Sequence, residues 1–183
     1  GITTAAFAAD LPVANAVNLT TSGTDAITIQ LQDTTATAAN LNTIDGKTAL
    51  TVSGSKIATV THNGADNNDI DALITATNDS GVDLDTVKTG GSLAGTGAIA
   101  ITRTGTALAA TGGNITKVNT LAGQTEGVLT LAFAAGAATA FDDLTTDNND
   151  LITIALTAGS VTAAALTAID AATGSTVDAG LVS

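Results

Sequence analysis

Residues 26–48, AITIQLQDTTATAANLNTIDGKT, join a short strand pattern to an amphipathic helix pattern. In the first part, Ile27 and Ile29 alternate with small polar residues, as in a strand with one buried face. In the second part, Leu41 and Ile44 fall on one helical face. The stretch therefore predicts one unit that consists of a strand, a turn, a helix and a return to the next strand.

The strand pattern recurs along the chain at steps of 23–30 residues, in segments 26–31, 49–53, 73–77, 98–103, 128–133 and 151–156. Repeated strand–helix units require parallel strands, because each connector returns the chain to start in the same direction. One unit cannot bury its own apolar face, so neighbouring units must stack. The sequence thus predicts a β-solenoid of about six coils, with short helices or helical turns on one side of parallel strands. A doubly wound α/β fold is the competing interpretation, and the alternating rather than continuously apolar strands disfavour it.

Each predicted strand has two inward positions on either side of one outward position. The inward pairs are Ile27/Ile29, Leu50/Val52, Ile74/Ala76, Ile99/Ile101, Leu129/Leu131 and Ile152/Ile154. The outward column is Thr28, Thr51, Thr75, Ala100, Thr130 and Thr153. A flat threonine-rich face is compatible with ice binding and with a contact to another subunit, and the sequence leaves both open.

The connectors share a phrase that returns each helix to the next strand. LNTIDGKT (41–48) recurs loosely as VNTLAGQT (118–125) and LTAIDAAT (166–173). Asp33 or Thr34 is placed to cap the first helix, and Gly46 is placed to end it.

The composition excludes several classes of partner. The chain of 183 residues has five Lys and Arg against seventeen acids, for a net charge of −12, and it has no Cys. Such a surface repels nucleic acid and anionic lipid. No apolar run is long enough for a membrane-spanning helix. Without cysteine there is neither a disulfide framework nor a thiolate metal site.

The acidic residues cluster in polar loops, which suggests calcium as a ligand. The candidate ligands are Asp66, Asp69, Asp71, Asp142, Asp143, Asp147 and Asp150, with a third cluster at Asp79, Asp83 and Asp85. Carboxylates and loop carbonyls are the oxygen ligands that Ca²⁺ prefers. No cluster has EF-hand spacing, so solvated turns explain the same pattern. No cofactor is required, and bound Ca²⁺ is the open alternative.

The sequence shows no catalytic site. His62 is the one histidine, in THNG, and no Ser or Cys elbow lies near it. Gly46-Lys47-Thr48 lacks the first glycine of a phosphate-binding loop. Arg103 has no basic neighbours that would indicate a polysaccharide-cleaving site. We therefore predict that the protein is not an enzyme.

The two ends of the chain are predicted to complete one unit between molecules. We divide the chain into an N-terminal connector (1–25), the repeat domain (26–175) and a C-terminal strand (176–183). If the last strand of one molecule joins the first connector of the next, copies assemble head to tail; an excised piece of a longer array is the alternative. The predicted assembly residues are Gly1, Ile2, Phe7, Leu11, Val177, Leu181 and Val182.

Residues 41–61, LNTIDGKTALTVSGSKIATVT, resemble a repeat found in very large surface or secreted proteins of cyanobacteria and other marine bacteria, with the pattern L-N-T-[IL]-D-G-x-T. Gln124 and Ala171 depart from that pattern in the two weaker copies. The resemblance implies an extracellular structural or adhesive repeat and supplies no catalytic residues. The expected function is therefore a structural subunit of an extracellular fibre, filament or surface layer that assembles as a homopolymer. A calcium-stabilised adhesive module of a large secreted protein is the alternative.

Overall fold

The computed structural model describes residues 1–78, 82–84 and 99–180. Short strands and helices alternate along these residues. The elements are β1 (Thr4–Ala6), α1 (Val13–Ala16), β2 (Ala26–Thr28), β3 (Thr35–Thr37), α2 (Ala38–Asp45), β4 (Val52–Ser53), β5 (Thr59–Gly64), α3 (Asp71–Thr77), β6 (Val82–Asp83), β7 (Ala100–Gly105), α4 (Gly112–Gly123), β8 (Leu129–Ala132), a 3₁₀ turn (Ala138–Ala140), β9 (Leu151–Thr153) and α5 (Ala163–Ala171).

The described strands pair in parallel and form three sheets. The largest has five strands in the order β3-β5-β7-β8-β9, and the other two are β1-β2 and β4-β6. Within each sheet the strands follow one another in chain order, so helices and loops supply every crossover. A mainly aliphatic hydrophobic core lies between strands and helices, and it also contains the edge-to-face pair of Phe133 and Phe141, with ring centroids 5.4 Å apart.

This architecture is a small α/β domain, and the predicted six-coil β-solenoid is wrong. Within the described residues the strands divide among three sheets, and no sheet runs through all the predicted units. Residues 73–77, predicted as the third strand, lie in α3 instead. A short apolar run fits either a strand or a helix, and here the buried residues Ile70, Leu73 and Thr77 follow helical spacing.

Most of the predicted inward residues are buried. Those at most 2% exposed are Ile27, Ile29, Val52, Ile99, Ile101, Leu129, Leu131, Ile152 and Ile154. Leu50 is 42% exposed and lies before β4, which begins at Val52 rather than at the predicted residue 49. Ile74 and Ala76 belong to α3 rather than to a strand.

The predicted threonine column is broken in the large sheet by a two-residue shift in register, although the bridge of Gln30 to Ser53 keeps Thr28 in register with Thr51. Thr130 lies opposite Thr102 on one side and Leu151 on the other, not opposite Ala100 and Thr153. Strand side chains alternate between faces, so a shift by two residues keeps every side chain on its face. The burial pattern therefore survives while the outward column is interrupted at Ala100, Thr130 and Thr153.

The three longer helices begin with the same cap. In α2, α4 and α5 a threonine hydroxyl accepts the backbone N–H three residues further on. The pairs are Thr37 with Asn40, Thr111 with Asn114 and Thr162 with Ala165. The predicted caps of the first helix, Asp33 and Thr34, are wrong; the Asp33 carboxylate accepts the Val13 N–H instead, at 2.6 Å. Gly46 ends α2 as predicted.

The last threonine of the repeated phrase is a buried hydrogen-bonding centre. The Thr48 hydroxyl accepts the Ile27 N–H at 2.9 Å and lies 2.7 Å from the Ile27 carbonyl oxygen. Thr173 does the same with Ile152, at 3.0 and 2.8 Å. Thr125 donates to the Ile99 carbonyl oxygen at 2.6 Å. In each case a side chain supplies hydrogen bonds to a strand that lies more than twenty residues earlier.

Residues 1–55 and 127–180 are two copies of one structural unit. GITTAAFAA (1–9) recurs as GVLTLAFAA (127–135), and TAANLNTIDGKT (37–48) recurs as TAAALTAIDAAT (162–173). Strand β1 pairs with β2 in the register in which β8 pairs with β9. The bridge between Gln30 and Ser53 recurs between Ala155 and Asp178.

The two units also share their side-chain hydrogen bonds. The Asp25 carboxylate accepts the N–H of Thr3 at 2.8 Å, and the Asp150 carboxylate accepts the N–H of Leu129 at 2.8 Å. A second hydroxyl bond repeats as well, from Thr21 to Lys47 O and from Thr146 to Ala172 O. The two units therefore share their strand pairing and their side-chain hydrogen bonds.

Candidate functional site

The first acidic loop, residues 65–71, wraps around the buried guanidinium of Arg103. Its Nε donates to the Asp69 carbonyl oxygen at 2.8 Å, and its Nη2 donates to the Asp66 carbonyl oxygen at 2.8 Å. Nη1 donates to the Thr106 carbonyl oxygen at 2.6 Å. Burial lowers the pKa of Arg103, while the negative charges of Asp69 and Asp66 oppose that shift. Carbonyl oxygens of this loop therefore already face a cation that belongs to the chain.

Glycine at position 64 makes room for that guanidinium. A Cβ on Gly64 would lie 2.0 Å from Nη2 and 2.3 Å from Cζ of Arg103. Asp69 braces the same loop, because its carboxylate accepts the Ala65 N–H at 3.0 Å. That hydrogen bond is the main cause of the lowered pKa of Asp69. His62 Nε2 lies 3.2 Å from Asp69 Oδ1 but is not aligned to form a hydrogen bond.

The second acidic loop, residues 142–150, borders an open, mainly polar cavity of about 370 Å³ between the end of α4 and the start of β9. The Asp150 carboxylate on its wall is occupied by backbone N–H groups, one from Leu129 at 2.8 Å and one from Asp147 at 3.4 Å. Asp147 in turn accepts the Asn149 N–H at 2.8 Å. These carboxylates brace the loop through its own backbone.

The structure gives no geometric support to a calcium site at the predicted aspartates. Those residues are Asp66, Asp69, Asp71, Asp142, Asp143, Asp147 and Asp150. Across residues 1–78, 82–84 and 99–180, no group of three or more His, Asp or Glu is placed to hold one metal ion. Asp71 instead pairs with Lys117 at the protein surface. The predicted cluster of Asp79, Asp83 and Asp85 lies outside the described side chains.

Strand β1 has one open edge. All three of its residues are exposed, and β2 is its one partner among the described strands. In the second unit, the equivalent strand β8 carries β7 on that side. There the Val128 carbonyl oxygen accepts the Ile101 N–H at 3.0 Å. The equivalent carbonyl oxygen in the first unit, that of Ile2 just before β1, has no such partner in the described chain.

Two apolar side chains flank this edge. Phe7 is 41% exposed, whereas its equivalent Phe133, which lies beside Leu108 of the neighbouring strand, is 4% exposed. Ile2 is 75% exposed, against 38% for its equivalent Val128. The phenylalanine position is thus covered where a neighbouring strand is present and exposed where it is absent, whereas the other position is exposed in both units and more so in the first.

A second open edge lies at the other end of the described chain. Residues 174–178 run along β9, with the Gly174 N–H bonded to Asp150 O at 2.7 Å and the Asp178 N–H bonded to Ile154 O at 3.0 Å. In the first unit, the equivalent strand β4 carries β6 on its far side, with Val52 opposite Val82. The far side of residues 174–178 carries no strand among the described residues.

The structure separates the predicted assembly residues into these two edges. Gly1, Ile2 and Phe7 flank the open side of β1, and Leu11 is half-buried in a bridge to Leu31. Val177 lies half-buried in the second edge. Leu181 and Val182 lie outside the described residues.

Sequence reasoning missed the residues that organise the loops and edges. Arg103 was noted as an isolated basic residue, and its contacts with the loop 65–71 arise from a register that periodicity does not give. Asp25 was not singled out, although it ties Thr3 to the start of β2. A comparison of residues 1–9 with 127–135 would have revealed the duplicated unit.

The chain matches no protein-family model, no curated protein and no solved structure. No helix in the part of the chain that the structure describes has the length and apolar character needed to cross a bilayer.

Proposed function

We propose that this protein is a non-enzymatic structural subunit whose copies join head to tail by parallel strand addition, in an extracellular fibre, filament or surface layer. The observation that carries the proposal is the open outer edge of β1 with Ile2 and Phe7 exposed beside it. An unpaired edge presents a row of N–H and C=O groups that can pair with another chain. The resemblance of residues 41–61 to surface-protein repeats supports the same class of function.

The two open edges belong to different parts of the chain, so their contact is heterologous. A heterologous contact that does not close on itself generates an open chain of copies. The strands of each sheet already run parallel and in chain order, and a further copy would continue that order.

Charge sets the conditions for this assembly. Each copy carries a net charge of −12, so copies repel one another at low ionic strength. The Debye length falls from about 10 Å at 0.1 M salt to about 3 Å at 1 M. Assembly should therefore increase with salt and with protein concentration.

The test is sedimentation velocity with negative-stain electron microscopy, at about 0.1 M and about 1 M NaCl. The wild-type chain should form elongated oligomers that lengthen with concentration. Calcium at matched ionic strength should act no differently from sodium; a calcium-specific effect would instead favour the adhesive-module alternative. A chain that stays monomeric under all conditions would overturn the proposal.

Two variants with a matched control locate the edge. Ala6→Pro removes an N–H that faces the open side of β1, because proline has no backbone N–H to donate to an added strand. Ile2→Ser removes an exposed apolar side chain, and Val128→Ser makes the same kind of change at the equivalent position beside β7. Ile2 is 75% exposed and its equivalent Val128, beside β7, is 38% exposed, so a neighbouring strand covers about half of the exposed area. Full burial of such a side chain contributes about 1.5–3 kcal/mol, so Ile2→Ser should weaken association about three- to tenfold, and Val128→Ser should not. Equal effects of the two serine variants, or none from Ala6→Pro, would contradict β1 as the joining edge.

A further inference from the structure

We propose that the second copy adds its β1 in one defined register, with Phe7 opposite Val177 and Ala6 opposite Thr176 of the preceding copy. This inference rests on the proposed head-to-tail assembly and specifies the partner and alignment of that edge.

The duplicated unit identifies the side of β1 that faces the core. In β8 the inward residues Leu129 and Leu131 are buried, as is Phe133 just after the strand. The equivalent residues of the first unit are Thr3, Ala5 and Phe7. The backbone groups of the residues between them point towards the open edge, because N–H and C=O directions alternate along a strand.

The second edge has the complementary alternation. Ser175, Val177 and Ala179 are half-buried, while Thr176 and Asp178 are exposed. A register that keeps inward residues beside inward residues therefore places odd-numbered residues of the two segments opposite each other. A slip by one residue would instead place Phe7 opposite an exposed residue, Thr176 or Asp178.

Several alignments pair odd-numbered residues of the two segments, and the register along the large sheet favours one of them. Ile101 lies opposite Leu129. Thr130 lies opposite Leu151, so Leu129 lies opposite Asp150. Ala155 lies opposite Asp178, and the same register places Asp150 opposite Thr173. Ile101, Leu129, Asp150 and Thr173 thus form one column across the sheet. Thr3 is the equivalent of Leu129, so a further strand continues the column with Thr3 opposite Thr173. Phe7 then lies opposite Val177.

The backbone groups at this position are complementary. Beside Phe133, the Leu108 N–H donates to Ala132 O at 2.9 Å, and the Ala134 N–H donates to Leu108 O at 2.7 Å. The equivalent groups at the open edge are the Ala6 carbonyl oxygen and the Ala8 N–H. In the proposed register Val177 takes the place of Leu108: its N–H donates to Ala6 O, and its carbonyl oxygen accepts the Ala8 N–H. Val177 also supplies the aliphatic side chain beside Phe7.

Cysteine pairing tests the register, because the chain has no native cysteine. Chains with Ala6→Cys are mixed with chains that carry Thr176→Cys or Asp178→Cys and oxidised under conditions of assembly. Thr4→Cys is mixed with Thr176→Cys in the same way. All four positions are exposed. Two intramolecular pairs calibrate the reaction: Ala132→Cys with Thr153→Cys, which are opposite each other, and Ala132→Cys with Leu151→Cys, which are two residues out of register.

The Ala6→Cys and Thr176→Cys mixture should give the most disulfide dimer. Its yield should exceed that of the other mixtures by about the same factor as the in-register intramolecular pair exceeds the out-of-register pair. Each single-cysteine chain alone should give only background. If the chains assemble in the sedimentation experiment but another mixture gives the highest yield, the register is wrong and the head-to-tail proposal stands. If the wild-type chain does not assemble and no mixture exceeds background, the proposed function itself is wrong.

Discussion

The buried hydroxyl of Thr48 offers a direct test of how the repeated phrase stabilises the fold. Its oxygen accepts the Ile27 N–H at 2.9 Å and the Leu50 N–H at 3.1 Å, and it lies 2.7 Å from the Ile27 carbonyl oxygen. Thr48→Val keeps the shape of the side chain but removes the oxygen. Two N–H groups then lose their acceptor, and no cavity is created.

The size of the effect follows from which groups become unsatisfied. A buried donor left without a partner costs about 1–3 kcal/mol. The Ile27 N–H is fully enclosed, whereas Leu50 is exposed enough for water to reach its backbone. We therefore expect the free energy of unfolding to fall by about 2–4 kcal/mol. For a domain of this size that corresponds to a decrease in Tm of roughly 5–15 °C.

The assay is urea denaturation, with the slope compared between variants. Thr51→Val is the matched control, because Thr51 is exposed and should change stability by less than about 0.5 kcal/mol. The second unit repeats the experiment with Thr173→Val and its exposed control Thr176→Val. If Thr48→Val and Thr51→Val give equal stability, the hydroxyl does not stabilise the strand. If Thr48 and Thr173 give very different values, the two units are not energetically equivalent.

Two further predictions concern the Arg103 loop and the response to acid. Gly64→Ala should destabilise the protein by about 3 kcal/mol or more, because its Cβ would displace a buried, hydrogen-bonded charge; Gly113→Ala, at a helical position with open space, should stabilise it by about 0.5–1 kcal/mol. Similar thermal melts for the two variants would contradict the packing of Arg103 over Gly64. Asp25 and Asp69 have pKa values below the ordinary 3.8, mainly because their carboxylates accept backbone N–H groups. Their stabilisation is therefore present above about pH 4 and is lost as the pH falls through the lowered pKa values. In urea titrations at pH 6 and below pH 4, Asp25→Asn should lose less stability on acidification than the wild type, and an equal loss would refute this role.

Local patterns in the sequence predicted which individual residues are buried but not how the strands are arranged. Ile27 and Ile29 are inward because period-two alternation decides the face of a strand. The same rule cannot fix register, since a two-residue shift leaves every face unchanged. The predicted threonine column is therefore interrupted at Thr130, which lies opposite Thr102 and Leu151. The prediction of a strand at residues 73–77 was wrong for a different reason: a run of five residues with apolar spacing fits a turn of helix as well as a strand.

Long-range contacts explain what the sequence could not give at the candidate sites. Arg103 bonds to carbonyl oxygens more than thirty residues earlier, and those contacts depend on the pairing of β5 with β7. Composition marked the loop 65–71 as acidic and suggested an external cation. The structure places the chain's own guanidinium against the backbone of that loop.

Differences between the two units bear on how the β1 edge behaves without a partner. The inward residues Leu129 and Leu131 of β8 are replaced in the first unit by Thr3 and Ala5. Exposing these smaller or more polar side chains to water costs less free energy than exposing two leucines. This difference limits uncontrolled association at an exposed edge. Phe7 remains as the apolar anchor, and a few buried anchors carry most of the affinity of an interface. With only Phe7 and Ile2 as large apolar side chains and a strong net negative charge, the edge should support reversible, salt-dependent association rather than irreversible aggregation.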